Sequence, residues 1–140
     1  MAANLQFGTT MRNNRLDQFE STVGPSPKLR IMSGAMPADC AAADTGVMLC
    51  EMTLPSDFMD PAAGGQKAKA GTWFGQGDPA AGAGINAGYF RIKNAAGTIT
   101  HCQGTITITG GGGAMTLDNI LIAAGQTVTI TTFVVTDGNA

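Results

Sequence analysis

Apolar and polar residues alternate most regularly towards the C-terminal end of the chain. Between Thr127 and Thr131, Val128 and Ile130 stand between threonines at a period of two. That is the pattern of a strand with one buried and one wet face. The alternation slips by one residue at Thr131 and Thr132, before Phe133, Val134 and Val135. A one-residue slip exchanges the two faces, so a bulge or bend is expected there. The segment 127–135 is therefore expected as the central strand, with Val128 and Ile130 in the core. Just upstream, Met115–Leu117 and Ile120–Ile122 flank Asp118 and Asn119, a turn-forming pair.

Near the other end the period changes. Leu16, Phe19 and Val23 fall at i, i+3 and i+7, one apolar stripe of a helix that Thr9 or Thr10 can cap and that runs to about Val23. Its charges are badly placed for an isolated helix. Arg12 and Arg15 come early and Asp17 and Glu20 late, against the macrodipole preference. The helix is thus expected to depend on docking its stripe. Gly24, Pro25, Ser26 and Pro27 end it and form a hinge.

Strands fill the interval between. Lys28–Met32 has Leu29 and Ile31 inward, and residues 47–54 put Met48, Cys50, Met52 and Leu54 on one core face. The connection 33–46 has room for a single helical turn at Ala41–Ala43. Residues 72–74 form a short strand carrying Trp73. Residues 88–93 point Phe90 and Ile92 in, and Tyr89, Arg91 and Lys93 out. Asn94–Gly97 turns this strand into a long hairpin partner, 98–109, and four glycines, Gly110–Gly113, follow. Residues 60–71 and 75–88 read as flexible Gly-rich loops; loops of more than about 12 residues without structure tend to be functional or mobile. Seven or eight short strands, one N-terminal helix and no βαβ spacing predict an all-β fold, an antiparallel β-sandwich or jelly roll. Residues 1–23 form an N-terminal arm and helix, and residues 24–140 the body.

Composition narrows the function classes. Charged residues make up 13% of the 140-residue chain, about half of the usual ~25%. A surface so poor in charge suits a protein packed against others, although Thr and Asn alone can keep such a surface soluble. The net charge is −2 and no basic cluster occurs, so no nucleic-acid partner is expected. No apolar run nears the ~18 residues of a membrane span, and residues 1–7 lack the features of a signal peptide. Cys40, Cys50 and Cys102 are odd in number and irregular in spacing, which fits reduced thiols in a cytoplasm.

Candidate chemistry is sparse. His101 and Cys102 are adjacent, so on a strand they point to opposite faces and cannot pair; no second His exists to activate a thiol. Cys102 shares its face with Ile106 and Ile108. Asp57 and Asp60, and Asp39 and Asp44, lack the alternation of a calcium loop, and the first pair reads as turn caps. Zinc has neither a CxxC nor a second His. Gly82–Ala87 matches a relaxed G-x-G-x-x-A, but it enters a strand where the dinucleotide motif requires a helix. The eight methionines suit either an adaptable interface or core filling. No enzyme activity, metal or cofactor is expected.

A family resemblance runs through nearly the whole chain. It is carried by Asn4–Phe7, Arg12–Glu20, Leu29–Ile31, Gly34–Cys40, Leu54–Phe58, Gly88–Ile92, His101–Thr105, Leu117–Asn119 and Gly125–Phe133. In these strings the chain resembles small virion proteins of tailed phages, and in class the jelly-roll cement or decoration proteins of Bordetella-type podoviruses. The resemblance implies a structural protein on the capsid surface, made in the host bacterial cytoplasm, that clamps neighbouring subunits of the major capsid protein. It equally admits a neck or tail-fibre component. A carbohydrate-binding module is the reading from another class, with Trp73, Phe74 or Tyr89 as a sugar platform. Candidate subunit-interface residues are Arg12, Arg15, Leu16, Phe19 and Val23. Two arms packing their stripes together would make a homo-oligomer, a dimer being favoured, with the two Gly-rich loops conforming to neighbours. The alternative is that the helix folds back and plugs one end of its own sandwich.

Overall fold

The computed structural model describes residues 5–138. Parts of the expected arm (1–4) and tail (139–140) lie outside them. The described residues are mostly β with one α-helix. In order come α1 (Thr9–Val23), β1 (Lys28–Ser33), β2 (Met48–Thr53), β3 (Gln66–Ala68), β4 (Trp73–Gln76) and a 3-10 turn (Pro79–Ala81). Then follow β5 (Ile85–Lys93), β6 (Thr100–Ile108), β7 (Met115–Leu117), β8 (Leu121–Ile122), β9 (Thr127–Ile130) and β10 (Val134–Thr136). The principal sheet runs β2-β1-β5-β6-β7, with β8 also pairing to β5; β3–β10 and β4–β9 are two-stranded sheets. All pairs are antiparallel except β6–β7.

The centre of the sheet is β5, not the 127–135 segment. β5 pairs with β1 on one side and with β6 on the other. The regular alternation of 127–130 does form β9, and Val128 and Ile130 are buried as expected. The slip at Thr131 and Thr132 then breaks the strand altogether before β10. β9 pairs only with β4, setting Trp73 opposite Ile130. Alternation reports that a strand has two unlike faces. It does not say how many neighbours the strand has.

One core joins all three sheets. Leu29, Ile31, Phe90 and Ile92 of the principal sheet meet Trp73, Val128 and Ile130 of the β4–β9 pair. A file of aromatic rings, Phe19, Phe58, Trp73, Phe133 and Phe90, crosses this core from α1 to β5, with successive centroids 6.5, 6.3, 5.6 and 5.5 Å apart. Tilted and edge-on contacts at these spacings suit ring quadrupoles.

The four-glycine tract makes an unusual return. Parallel neighbours ordinarily need a crossover of a dozen residues or more, yet β7 lies parallel to β6 after the short segment 109–114, with Ile106 opposite Met115. Gly110 and Gly112 take positive φ, and a Cβ at Gly111 or Gly113 would come within 3.0 Å of Thr107. The Thr107 hydroxyl accepts from the Gly113 amide at 3.0 Å. The tract is a tight fold over one threonine.

The segments expected as flexible loops are also built in. Residues 66–68 are β3, and the Lys67 side chain is 1% exposed. In the second segment the Gly77 amide donates to the Gln126 carbonyl at 2.7 Å, and the Asp78 amide to the Leu49 carbonyl at 2.7 Å. The Asp78 carboxylate caps the 3-10 turn by accepting from the Ala80 amide.

Candidate functional site

The expected interface residues all lie on α1, and the structure places them against their own chain. Leu16 and Val23 are buried, and Phe19 packs on the core beside Phe58. The apolar stripe is therefore covered largely within the chain. Physically, β3 and the segment before it supply what the helix lacked. Lys67 donates to Asp17 Oδ1 at 2.7 Å, to Glu20 Oε2 at 2.8 Å and to the Asp60 carbonyl at 2.9 Å, which uses all three N–H bonds of the ammonium. Asp17 Oδ1 also accepts from the Ala62 amide, and Asn13 Oδ1 from the Gly65 amide. At the start of the helix, Arg12 Nε donates to the Asp137 carbonyl at 2.6 Å, and Arg15 Nε lies 3.1 Å from Asp137 Oδ2. Arg15 also sits over the Phe7 ring.

These contacts explain the awkward charge order. Asp17 and Glu20 stand late in the helix because they hold Lys67, and Arg12 and Arg15 stand early because they reach the C-terminal segment. Their hydrogen bonds and charge outweigh the burial that would otherwise lower the Lys67 pKa, and raise it. The hydrogen bond from Lys67, followed by that from Ala62, holds the Asp17 carboxyl below its ordinary value. Sequence reasoning missed Lys67 and Asp137. The signal was present in Asp17 and Glu20: two like charges three apart, against the dipole, require a cation elsewhere.

A second polar cluster lies on the face of the principal sheet away from the aromatic file. Cross-strand register aligns Glu51, Arg30, Arg91 and Gln103 in one row over β2, β1, β5 and β6. A neighbouring row aligns Thr53, Lys28, Lys93 and Thr100. The expectation that Tyr89, Arg91 and Lys93 face solvent is corrected here: all three are buried. The connection 34–47 doubles back over them. Its base is tied by Ser33 and Val47, which bond through backbone and through the Ser33 hydroxyl. The Tyr89 hydroxyl donates to the Thr45 carbonyl at 2.6 Å and accepts from the Thr45 amide. No helical turn extends over Ala41–Ala43; Asp39 instead caps a tight turn through the Ala41 and Ala42 amides.

Asp44 is the hub of this cluster. Its carboxylate meets Arg30 at 2.8 Å, Arg91 at 2.9 Å and Lys93 at 3.0 Å. Burial alone would raise its pKa, but Lys93, Arg30 and Arg91 outweigh burial and hold it low. Arg30 also binds Glu51 at 2.6 Å. The guanidinium of Arg91, 1% exposed, makes five bonds, to Ala42, Asp44, Asp39 and twice to Gln103. All five of its N–H donors are thereby spent. Beside it opens a cleft of about 520 Å³ lined by Cys40–Asp44, Arg91, Lys93 and Thr98–Thr100.

The three thiols differ in exposure. Cys50 is buried, Cys102 packs half-buried against the core, and Cys40 is partly exposed. Burial pushes the Cys50 and Cys102 thiols up to about 11, with nearby Asp78 and Glu51 adding to the first and Cys40 to the second. Ile106, on the same face as Cys102, is buried, but Ile108 is exposed at the strand end. Among the described residues no group of three His, Cys, Asp or Glu side chains is placed to hold a metal ion, and no helix is long and apolar enough to cross a membrane. Trp73 and Tyr89 are both wholly buried, leaving Phe74 as the exposed ring of the three proposed sugar platforms. No protein-family description, curated protein or solved structure matches the chain.

Proposed function

We propose that the chain is a non-catalytic structural protein of a tailed-phage particle, of the jelly-roll cement class. It binds on the head surface between subunits of the major capsid protein, works as a homo-oligomer and needs no cofactor. The phage and capsid parts of this reading rest on the resemblance carried by the sequence strings. The structural observation in its favour is the fate of the cations. Each of the eight Lys and Arg side chains is engaged inside the chain: Arg12 and Arg15 on Asp137, Lys28 on Thr53, Arg30 on Asp44 and Glu51, Lys67 on Asp17 and Glu20, Lys69 on the Gly71 carbonyl, and Arg91 and Lys93 on Asp44.

What remains outside carries no Lys or Arg without a partner in the chain, and leaves Phe74, Ile99, Ile108, Leu121 and Val134 exposed. Such a surface supports docking by shape and apolar contact, and gives a phosphate backbone no concentrated positive patch to neutralise. The sugar-binding alternative loses two of its three aromatic platforms to the core. The test is co-sedimentation of the purified chain with heads assembled from the major capsid protein encoded in the same genome. Saturable binding at a fixed ratio to capsid subunits is expected. Failure to bind heads at micromolar concentration overturns the reading.

A further inference from the structure

We propose that the cleft beside Lys93 is a recognition site for a carboxylate presented by a polypeptide partner, an acidic side chain or a chain terminus. The inference starts from charge. Lys28, Arg30, Arg91 and Lys93 converge on one sheet face, while only Asp44 and Glu51 of the acidic residues pair with them. Two positive charges are left over on a molecule whose net charge is −2. The Asp39 carboxylate is occupied by the Ala41 and Ala42 amides. Lys28 and Lys93 lie directly opposite each other across β1 and β5, an arrangement that is unfavourable unless an anion offsets it.

The donors divide unequally. Arg91 has none to spare, so it is structural. Lys93 is largely buried, and among the described residues Asp44 is its one ion-pair partner, at 3.0 Å. An ammonium has three N–H donors, so two remain for whatever enters the cleft. Besides Asp44 and Arg91, the cleft is lined by Thr98 and Thr100 and by the small or apolar Cys40, Ala41, Ala42, Ala43 and exposed Ile99. One cationic donor at the base of small apolar walls fits a carboxylate on an aliphatic arm. Asp44, sharing Lys93, opposes a dianion more than a monoanion, which favours carboxylate over phosphate. That the partner is a capsid subunit rests on the function proposed above; the site itself does not.

The experiment is a titration of the free, isotopically labelled chain with acetate, butyrate and inorganic phosphate at constant ionic strength, read by backbone amide NMR shifts. Saturable shifts confined to Ala41–Asp44 and Thr98–Thr100 are expected with the carboxylates, weakened at least fivefold in Lys93→Met. Lys28→Gln, at the more open end of the row, serves as the second variant and is expected to weaken binding about twofold. Absence of saturable shifts in the native chain, tighter saturation by phosphate, or unchanged binding in a folded Lys93→Met overturns the proposal. Should Lys93→Met fail to fold, the native titration and Lys28→Gln still decide: unchanged binding in Lys28→Gln then overturns the proposal. Head binding is measured separately, so a chain that binds heads but not carboxylates fails only here.

Discussion

Replacing Lys67 by Met removes the one cation that ties α1 to β3 while keeping most of the side-chain volume. Three bonds go with it, two to carboxylates and one to the Asp60 carbonyl. Losing one partner of a fully buried pair costs about 3–5 kcal/mol. Here the stranded partners retain water, since the Asp17 and Glu20 side chains are 47% and 24% exposed. They rehydrate, and the methionine recovers some apolar burial. The net loss is therefore placed at about 2–3 kcal/mol, on the scale of one or two hydrogen bonds to charged groups. At this chain length that lowers the midpoint of thermal unfolding by roughly 6–12 °C. Chemical denaturation of Lys67→Met, of Asp17→Asn with Glu20→Gln, and of all three together forms a double-mutant cycle. Coupling of about 1–2 kcal/mol is expected, with hydrogen-exchange protection lost in α1 before the core. A Lys67→Met variant within about 0.5 kcal/mol of native, with α1 still protected, would falsify the latch.

Three further outcomes follow from other parts of the fold. Gly77 has no room for a side chain, since a Cβ there would fall 1.9 Å from the Ala123 carbonyl oxygen; Gly77→Ala is expected to cost about 1–3 kcal/mol in urea unfolding, and a neutral result contradicts the packing of that segment. Thiol labelling of the native chain at pH 8 is expected to modify Cys40 first and to spare Cys50 and Cys102, whose burial raises them to about 11; equal rates at all three would show that the core is open. Asp17 and Asp44 have folded pKa values held low, so their stabilisation is complete above the ordinary carboxylate value of about 4 and is lost as pH falls through the folded values. Stability should hold between pH 5 and 8 and decline below about pH 4, and Asp44→Asn should flatten that decline; an unchanged acid limb in Asp44→Asn argues against the hub.

Local pattern carried the elements further than their arrangement. The stripe of Leu16, Phe19 and Val23 and the stop at Gly24 place the end of α1 where it is observed, whereas the start is capped by the Gly8 backbone and not by a Thr9 or Thr10 hydroxyl. The apolar alternation also finds β1, β2 and the β5–β6 hairpin, but it reads the slip after Ile130 as a bulge or bend within one strand where the structure has two. Alternation fails where a polar face is buried by partnered charge. Arg91 and Lys93 look solvent-facing from sequence because their partner Asp44 lies 47 and 49 residues away and reaches them only when residues 34–47 fold back. Lys67 is hidden in the same way, in a stretch whose Gly and Ala suggest a loop. The parallel return of β7 depends on four glycines whose composition signals flexibility, whereas their packing on Thr107 requires small size. Of the site, the misplaced helix charges were readable as a demand for a partner; the identity of that partner was not.

The central claim is that this chain is a particle component that acts by position rather than by chemistry. Electron cryo-microscopy of purified particles, with copy number counted by quantitative mass spectrometry, tests it most directly. The account predicts density for the β-rich body on the outer face of the head, between capsid subunits, in a number set by the shell's symmetry. Particles that are complete without the chain, or that carry it only at the tail, would contradict it.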